Sequence, residues 1–199
     1  LEPVLGEWIW LEYRHVAKMV GRDSILFTNV RRRNEALKLR EIGGVTYQSV
    51  VKMKRTPSTT AYVLDPRSPE LLSSKDFCND VSLIVGGILG DHPPRGRTKQ
   101  AISMRMRAES RNLGIYQFSV DGAVYMALQV ASGKEIDEIP IKVEVELALN
   151  SRHTNVLPFA YPLTKKGPLL TPGLTQYLRR GILRDEEVLF RTGKPRSIV

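Results

Sequence analysis

A single cysteine, Cys78, cannot form an internal disulfide. The chain is therefore expected in a reducing compartment, the cytoplasm, with Cys78 as a small buried hydrophobe. No apolar run approaches the ~20 residues of a membrane span, and no signal-peptide pattern is present. The three histidines, His15, His92 and His153, are too scattered to suggest a zinc site, and no metal-ligand spacing emerges elsewhere. No Ser-His-Asp arrangement and no internal repeat is found. Acidic residues are also short, at 21 against 30 Lys and Arg, which leaves a net charge of +9. Such a balance favours phosphate-rich partners, RNA or ribosomal particles, although basic proteins without them are common. What is present, 42% hydrophobic and 26% charged residues over 199 positions, describes an ordinary globular chain with one sizeable core.

The stretch around which the chain is organised is VSLIVGGILGDHPPRGRT, Val81 to Thr98. Val81, Leu83, Ile84 and Val85 read as a strand buried on both faces. It stops at Gly86-Gly87, resumes for Ile88-Leu89 and breaks again at Gly90. Glycine lets a ligand approach the backbone closely, so a strand ending in this way suggests a binding loop. Asp91, His92, two stiffening prolines, Arg95 and Arg97 follow at once. The run lacks both the three spaced glycines of a dinucleotide fingerprint and the Gly-Lys-Ser/Thr of a P-loop. A rigid, solvated connection remains the alternative reading.

Around this stretch the chain alternates strand, helix and loop up to Gly133, which predicts an α/β fold with a mostly parallel sheet and helices on both faces. Val4, Trp8, Leu11, His15 and Met19 recur at helical spacing up to Gly21. Glu12 and His15 share a face of that helix. Strands are expected at 24–30, 45–53, 60–64 and 113–119, and helices at 31–41, at 68–77, after Thr98 and after Val120. From 134 onward the character changes: an alternating strand at 142–149, a short extended piece at 157–161, a helix at 174–180 and a basic tail expected to be mobile. No convincing linker is seen, so residues 1–133 form the expected core and 134–199 an extension packed on it.

GGILGDHPPRGRT (86–98) resembles the signature of the SPOUT protein-arginine methyltransferases, whose characterised eukaryotic members methylate an arginine of a small-subunit ribosomal protein. LEYRHVAKMVG (11–21), LFTNV (26–30), YVLDP (62–66) and LPFAYP (157–162) resemble the same family. The resemblance implies a deep trefoil knot and S-adenosylmethionine bound in it. Family members also open with a short apolar strand before a Glu-Pro like Glu2-Pro3, so residues preceding Leu1 are expected. LGIYQFSVDGAVYMALQV (113–130) is similar to the last strand, loop and helix of the knotted tRNA guanine methyltransferases, where backbone groups read the adenine between apolar walls.

Carried over residue by residue, Leu64, Ile88, Leu89, Leu113 and Phe118 are the implied walls. Asp65, Gly86, Gly87, Gly90, Ile115, Gln117 and Ser119 complete the implied cofactor site. Methyl transfer to nitrogen needs a group that steers or takes a proton, and a carboxylate is also the natural partner of a guanidinium. Asp91, beside the glycine loop, is the first candidate, and Glu146, at an acidic position of the family pattern, is the second. Arg95, Arg97, Glu12 and His15 are candidate substrate-binding residues; the alternatives are that the two arginines pin the loop and that Glu12 and His15 make a local ion pair or core-edge contact. The chain departs from the family pattern at Val143, where an acid is expected, and at Ala160, where an arginine is expected. Two other functions remain open: an RNA methyltransferase of the same fold, or a non-catalytic RNA-binding ribosome-assembly factor. The expected partners are a ribosomal protein or particle, with RNA contact through the basic surface, no membrane, and a monomer favoured over a homodimer.

Overall fold

The structure, a computed structural model, describes residues 4–53, 60–87, 98, 102–106, 108–149 and 154–199. The first helix, α1 (Glu7–Val20), is ended by Gly21, whose φ of 81° lies where a side chain would be strained. Its apolar stripe of Ile9, Trp10, Tyr13 and Val16 is buried against Phe27, Val30 and Leu39. Those residues come from β1 (Leu26–Phe27), the turn after it and α2 (Arg33–Leu39). Strand β2 (Gly44–Val45) pairs in parallel with β1.

Three further parallel strands, β3 (Thr60–Leu64), β4 (Val81–Val85) and β5 (Glu109–Arg111), lie in the order β4-β3-β5. Leu64 is in register with both Val85 and Arg111, so all three strands end at one level. The loops after them therefore leave the sheet side by side, the arrangement that puts ligands at the carboxyl edge of parallel sheets. Helix α3 (Val120–Ala131) packs its Met126, Ala127 and Val130 against Leu64, Leu72 and Leu113.

The parallel strands thus form two small sheets where one mostly parallel sheet is expected, and the third sheet is antiparallel. It consists of β6 (Ile141–Ala148), β7 (Thr154–Thr164) and β8 (Gly167–Pro168). Its apolar face closes on α4 (Leu174–Arg180) through Val145, Leu157, Phe159, Tyr161, Leu174 and Leu178. Strand β7 is joined to the N-terminal part by the Ala160 N–H, which donates to the Gln117 carbonyl at 2.8 Å.

Several local expectations change. Residues 113–119 form a loop with one bridge, Phe118 to Ala160, because Gly114 takes a φ of 93° that breaks an extended run. Ser68 to Phe77 is helical only as a 3-10 turn at Ser74–Phe77, capped reciprocally by Ser73 and Asp76. Residues 45–53 give the short β2 and a 3-10 turn at Val50–Lys52. Cys78 is exposed, since it follows that capped turn on the surface side. Helix α5 (Ile182–Thr192) follows α4, and the tail from Arg191 to Val199, expected to be mobile, is tied back near its end, where the Ile198 N–H donates to the Leu5 carbonyl at 2.9 Å. Arg196 anchors the same tail to Asp185 at 2.9 Å.

Candidate active site

Of the three converging loops, those after β3 and β5 are described throughout and the one after β4 only at its start. The loop after β3 begins with Asp65, whose buried carboxylate accepts the Arg67 N–H at 2.9 Å and the Ser103 hydroxyl at 2.6 Å. These bonds shape the turn at Asp65-Pro66 and tie it to the segment before β5. The end of β5 is held by Arg111, which lies over the Tyr62 ring and bonds Asp76, Glu109 and Glu70. Burial alone would raise the Asp76 carboxyl, but hydrogen bonds from Arg111 and from the Ser73 N–H hold it below the usual carboxylate range.

The second loop leaves β4 at Gly86-Gly87. A Cβ on Gly86 would sit 2.6 Å from Thr98 Oγ1, so this glycine is required for close approach between loop and following segment. The Gly87 carbonyl accepts the Tyr13 hydroxyl at 2.9 Å, across from α1. Ile88, Leu89, Gly90, Asp91, His92, Arg95 and Arg97 lie outside the described residues.

The third loop runs from Leu113 to Ser119. Leu113 and Leu64 are buried in one apolar cluster, with Phe118 packed against it. Ile115 is 93% exposed and Gln117 half-buried, with the Gln117 carbonyl committed to Ala160. Ser119 is buried and caps α3: its Oγ accepts the Gly122 N–H at 3.2 Å and donates to Asp121 Oδ1 at 2.7 Å.

Beneath this loop lies a buried polar network for which the sequence gives no warning. Asp121 is fully buried and accepts from Ser119, from Thr171 Oγ1 at 2.6 Å and from His15 Nδ1 at 2.7 Å. Glu12, 1% exposed, accepts the Trp8 indole N–H at 2.7 Å and the Val120 N–H at 2.9 Å. Burial first, then the Asp121 charge, pushes the Glu12 carboxyl up to about 8, against the opposing pull of those two donors. The Tyr161 hydroxyl, buried near both acids, has no hydrogen-bond partner among the described residues; burial and their charge raise it above the usual phenol range.

Glu12 and His15 therefore point into the interior between α1, α3, β7 and the turn before α4, rather than onto a solvent-facing substrate surface. Glu146 stands exposed on β6, opposite Val156 on β7, the strand whose Ala160 bridges Phe118. The described residues thus bring together Leu64, Asp65, Gly86, Gly87, Leu113, Phe118 and Ser119. Tyr13 and Asp121 are the additional contributors. Asp121, an acid inside an otherwise apolar helix start, stands out by itself, but nothing local to it names its distant partners. No group of metal-ligating side chains occurs among the described residues.

The chain is similar to known proteins along nearly its whole length. Protein arginine N-methyltransferase SFM1 of Saccharomyces cerevisiae is 26% identical over 196 residues, covering 90% of this chain and 92% of the yeast protein. The crystal structure of the yeast enzyme complexed with SAH matches with a TM-score of 0.78 and 26% identity, over 89% of this chain and 91% of that one. Its SAM complex matches equally, at a TM-score of 0.78 and 26% identity over 90% and 87% of the two chains. The family model for protein arginine N-methyltransferase SFM1-like proteins matches residues 1–185, and the chain belongs to that family.

Proposed function

We propose that this chain transfers a methyl group from S-adenosylmethionine to an arginine of a ribosomal protein. Family membership supports the reaction type and the cofactor. The observation that carries the site is the shared level at which β3, β4 and β5 end, which sets the three loops around one crevice. The residues there suit the cofactor. Leu64, Leu113 and Phe118 offer an apolar wall for an adenine, and the glycine backbone at Gly86-Gly87 admits close contact. Asp65, Ile88, Leu89, Gly90, Ile115, Gln117 and Ser119 complete that surface in the proposal, the last three through their backbone. When bound, S-adenosylmethionine supplies an electrophilic methyl on a sulfonium.

The protein's part is alignment and proton control. In this reading Asp91 pairs with the acceptor guanidinium, orients it and takes its proton. Arg95 and Arg97 hold anionic groups of cofactor or substrate, and Glu146 draws basic substrate segments toward the hairpin. The chain crosses itself as a trefoil knot at these loops, residues 1–133 forming the knotted core and 134–199 the packed extension. With α4 and β7 against α1 and α3, where SPOUT enzymes pair, the chain works as a monomer in the cytoplasm. The surplus of positive charge favours RNA of the ribosomal particle as a secondary contact.

The test is labelled-methyl transfer into ribosomal particles, followed by separate RNase and protease digestion. Label released by protease supports a protein substrate; label released by RNase assigns the RNA methyltransferase alternative. Failure to bind S-adenosylmethionine at millimolar concentration supports the non-catalytic assembly factor. Asp91→Asn, nearly isosteric, should keep cofactor affinity and lose about 10²–10⁴-fold in single-turnover rate. An unchanged rate would remove Asp91 from the chemistry.

A further inference from the structure

Neighbouring residues of α1 hold two different loops of the crevice. Tyr13 reaches the Gly87 carbonyl, and Glu12 reaches the Val120 N–H immediately after Phe118-Ser119. The first is a neutral, part-buried bond. The second comes from a carboxylate with 1% of its surface exposed. Both groups that donate to Glu12, the Val120 amide and the Trp8 indole, have no acceptor function. An ionised carboxylate satisfies both with charge-assisted bonds. A protonated one must turn one oxygen into a donor and weaken one hold.

The surroundings are charged on one side only. Asp121 at the start of α3 is acidic, and its oxygens are already occupied by Ser119, Gly122, Thr171 and His15. His15, from α1 itself, is spent on Asp121 rather than on Glu12. Tyr161 from β7 supplies a neutral hydroxyl with no partner among the described residues, and Tyr177 from α4 packs edge-on against Trp8 at 6.4 Å between ring centres. None of these groups gives Glu12 a cation. Its state is therefore balanced between burial beside Asp121, which favours the proton, and two donors, which favour the charge.

We propose that Glu12 is a positioning residue for cofactor binding: its carboxylate fixes the Phe118–Val120 loop through the Val120 amide, so that ionisation of this one interior group tightens the hold on S-adenosylmethionine. The proposal rests on the assignment of that loop to the cofactor. Burial beside Asp121 raises this carboxyl well above the usual carboxylate range, so the coupling operates at higher pH than an ordinary glutamate would allow. Alkaline conditions then strengthen binding, and acidification toward pH 6.5 relaxes the loop.

The test is calorimetric affinity for S-adenosylmethionine from pH 6.5 to 9, in wild type and Glu12→Gln. The ratio of the two dissociation constants cancels titration of the ligand itself. The amide imitates the protonated acid, so the ratio should be near one at pH 6.5. It should rise to about tenfold at pH 9, the difference between a neutral and a charge-assisted bond. A ratio that stays flat with pH overturns the proposal, because a merely structural glutamate would shift affinity equally at every pH. Trp8→Phe, which removes one donor and leaves the acid in place, should move the midpoint of the wild-type pH dependence upward by about one unit. An unmoved midpoint counts against the proposal even where Glu12→Gln does not fold. Absence of binding by wild type at every pH would instead overturn the cofactor assignment, and this inference with it.

Discussion

Tyr13→Phe isolates the strut between α1 and the glycine loop. The substitution keeps the ring, which is 3% exposed and packs on Phe27 with centres 5.0 Å apart, and deletes only the hydroxyl that donates to the Gly87 carbonyl at 2.9 Å. No cavity of consequence is made, and the Gly87 bond, part-buried and neutral, contributes a net of about 1 kcal/mol. For a chain of this size that lowers the melting temperature by about 2–4 °C. If the same bond orders the loop for its ligand, the affinity for S-adenosylmethionine should fall by about fivefold, the factor equivalent to that energy. Differential scanning calorimetry and isothermal titration on one preparation read both quantities. A variant with wild-type melting temperature and wild-type affinity would refute the strut. A lowered melting temperature with unchanged affinity would confine the bond to stability.

Asp121→Ala removes the shared acceptor of Ser119, Thr171 and His15 at a fully buried position. A loss of about 3 kcal/mol or more is expected in chemical denaturation, and a loss below 1 kcal/mol would show that these donors find other partners. The Asp76 carboxyl is held low in the folded state, so it binds protons more weakly than in the unfolded chain. Its contribution is therefore complete above the unfolded carboxylate value of about 4 and is lost as pH falls through the lower folded one. Arg111→Met should flatten that acid limb of the stability profile; an unchanged limb would assign acid sensitivity to other carboxylates.

The parts of the fold legible in the sequence are those whose pattern is local. The segment Thr60–Leu64 is the central strand of its sheet, the apolar run Val81–Val85 is an edge strand that is half-buried rather than buried on both faces, and an apolar helix does start at Val120. Strand β5 escapes such reading because Glu109-Ser110-Arg111 has no apolar residue. It is secured by the Arg111 ion pairs and by pairing with β3. Helix α5 carries Leu183 and Phe190 at 69% and 93% exposure, so no core-facing stripe announces it. The glycine loop announces itself through composition, whereas the network below it cannot. His15 and Asp121 stand 106 residues apart, and Thr171 a further 50 beyond. Only the packing of α1 across the start of α3 joins them, which is also why Glu12, expected in a local ion pair or at the edge of the core, proves to be fully interior.

The most direct measurement of the central claim is mass spectrometry of the residue that receives the methyl group. Ribosomal proteins from particles incubated with the chain and isotopically labelled S-adenosylmethionine would be digested and sequenced by fragmentation. The account predicts a labelled methyl on an arginine guanidinium of one ribosomal protein, lost with Asp91→Asn. Label on a nucleotide, on another amino acid, or on no component while the chain binds the cofactor would contradict it.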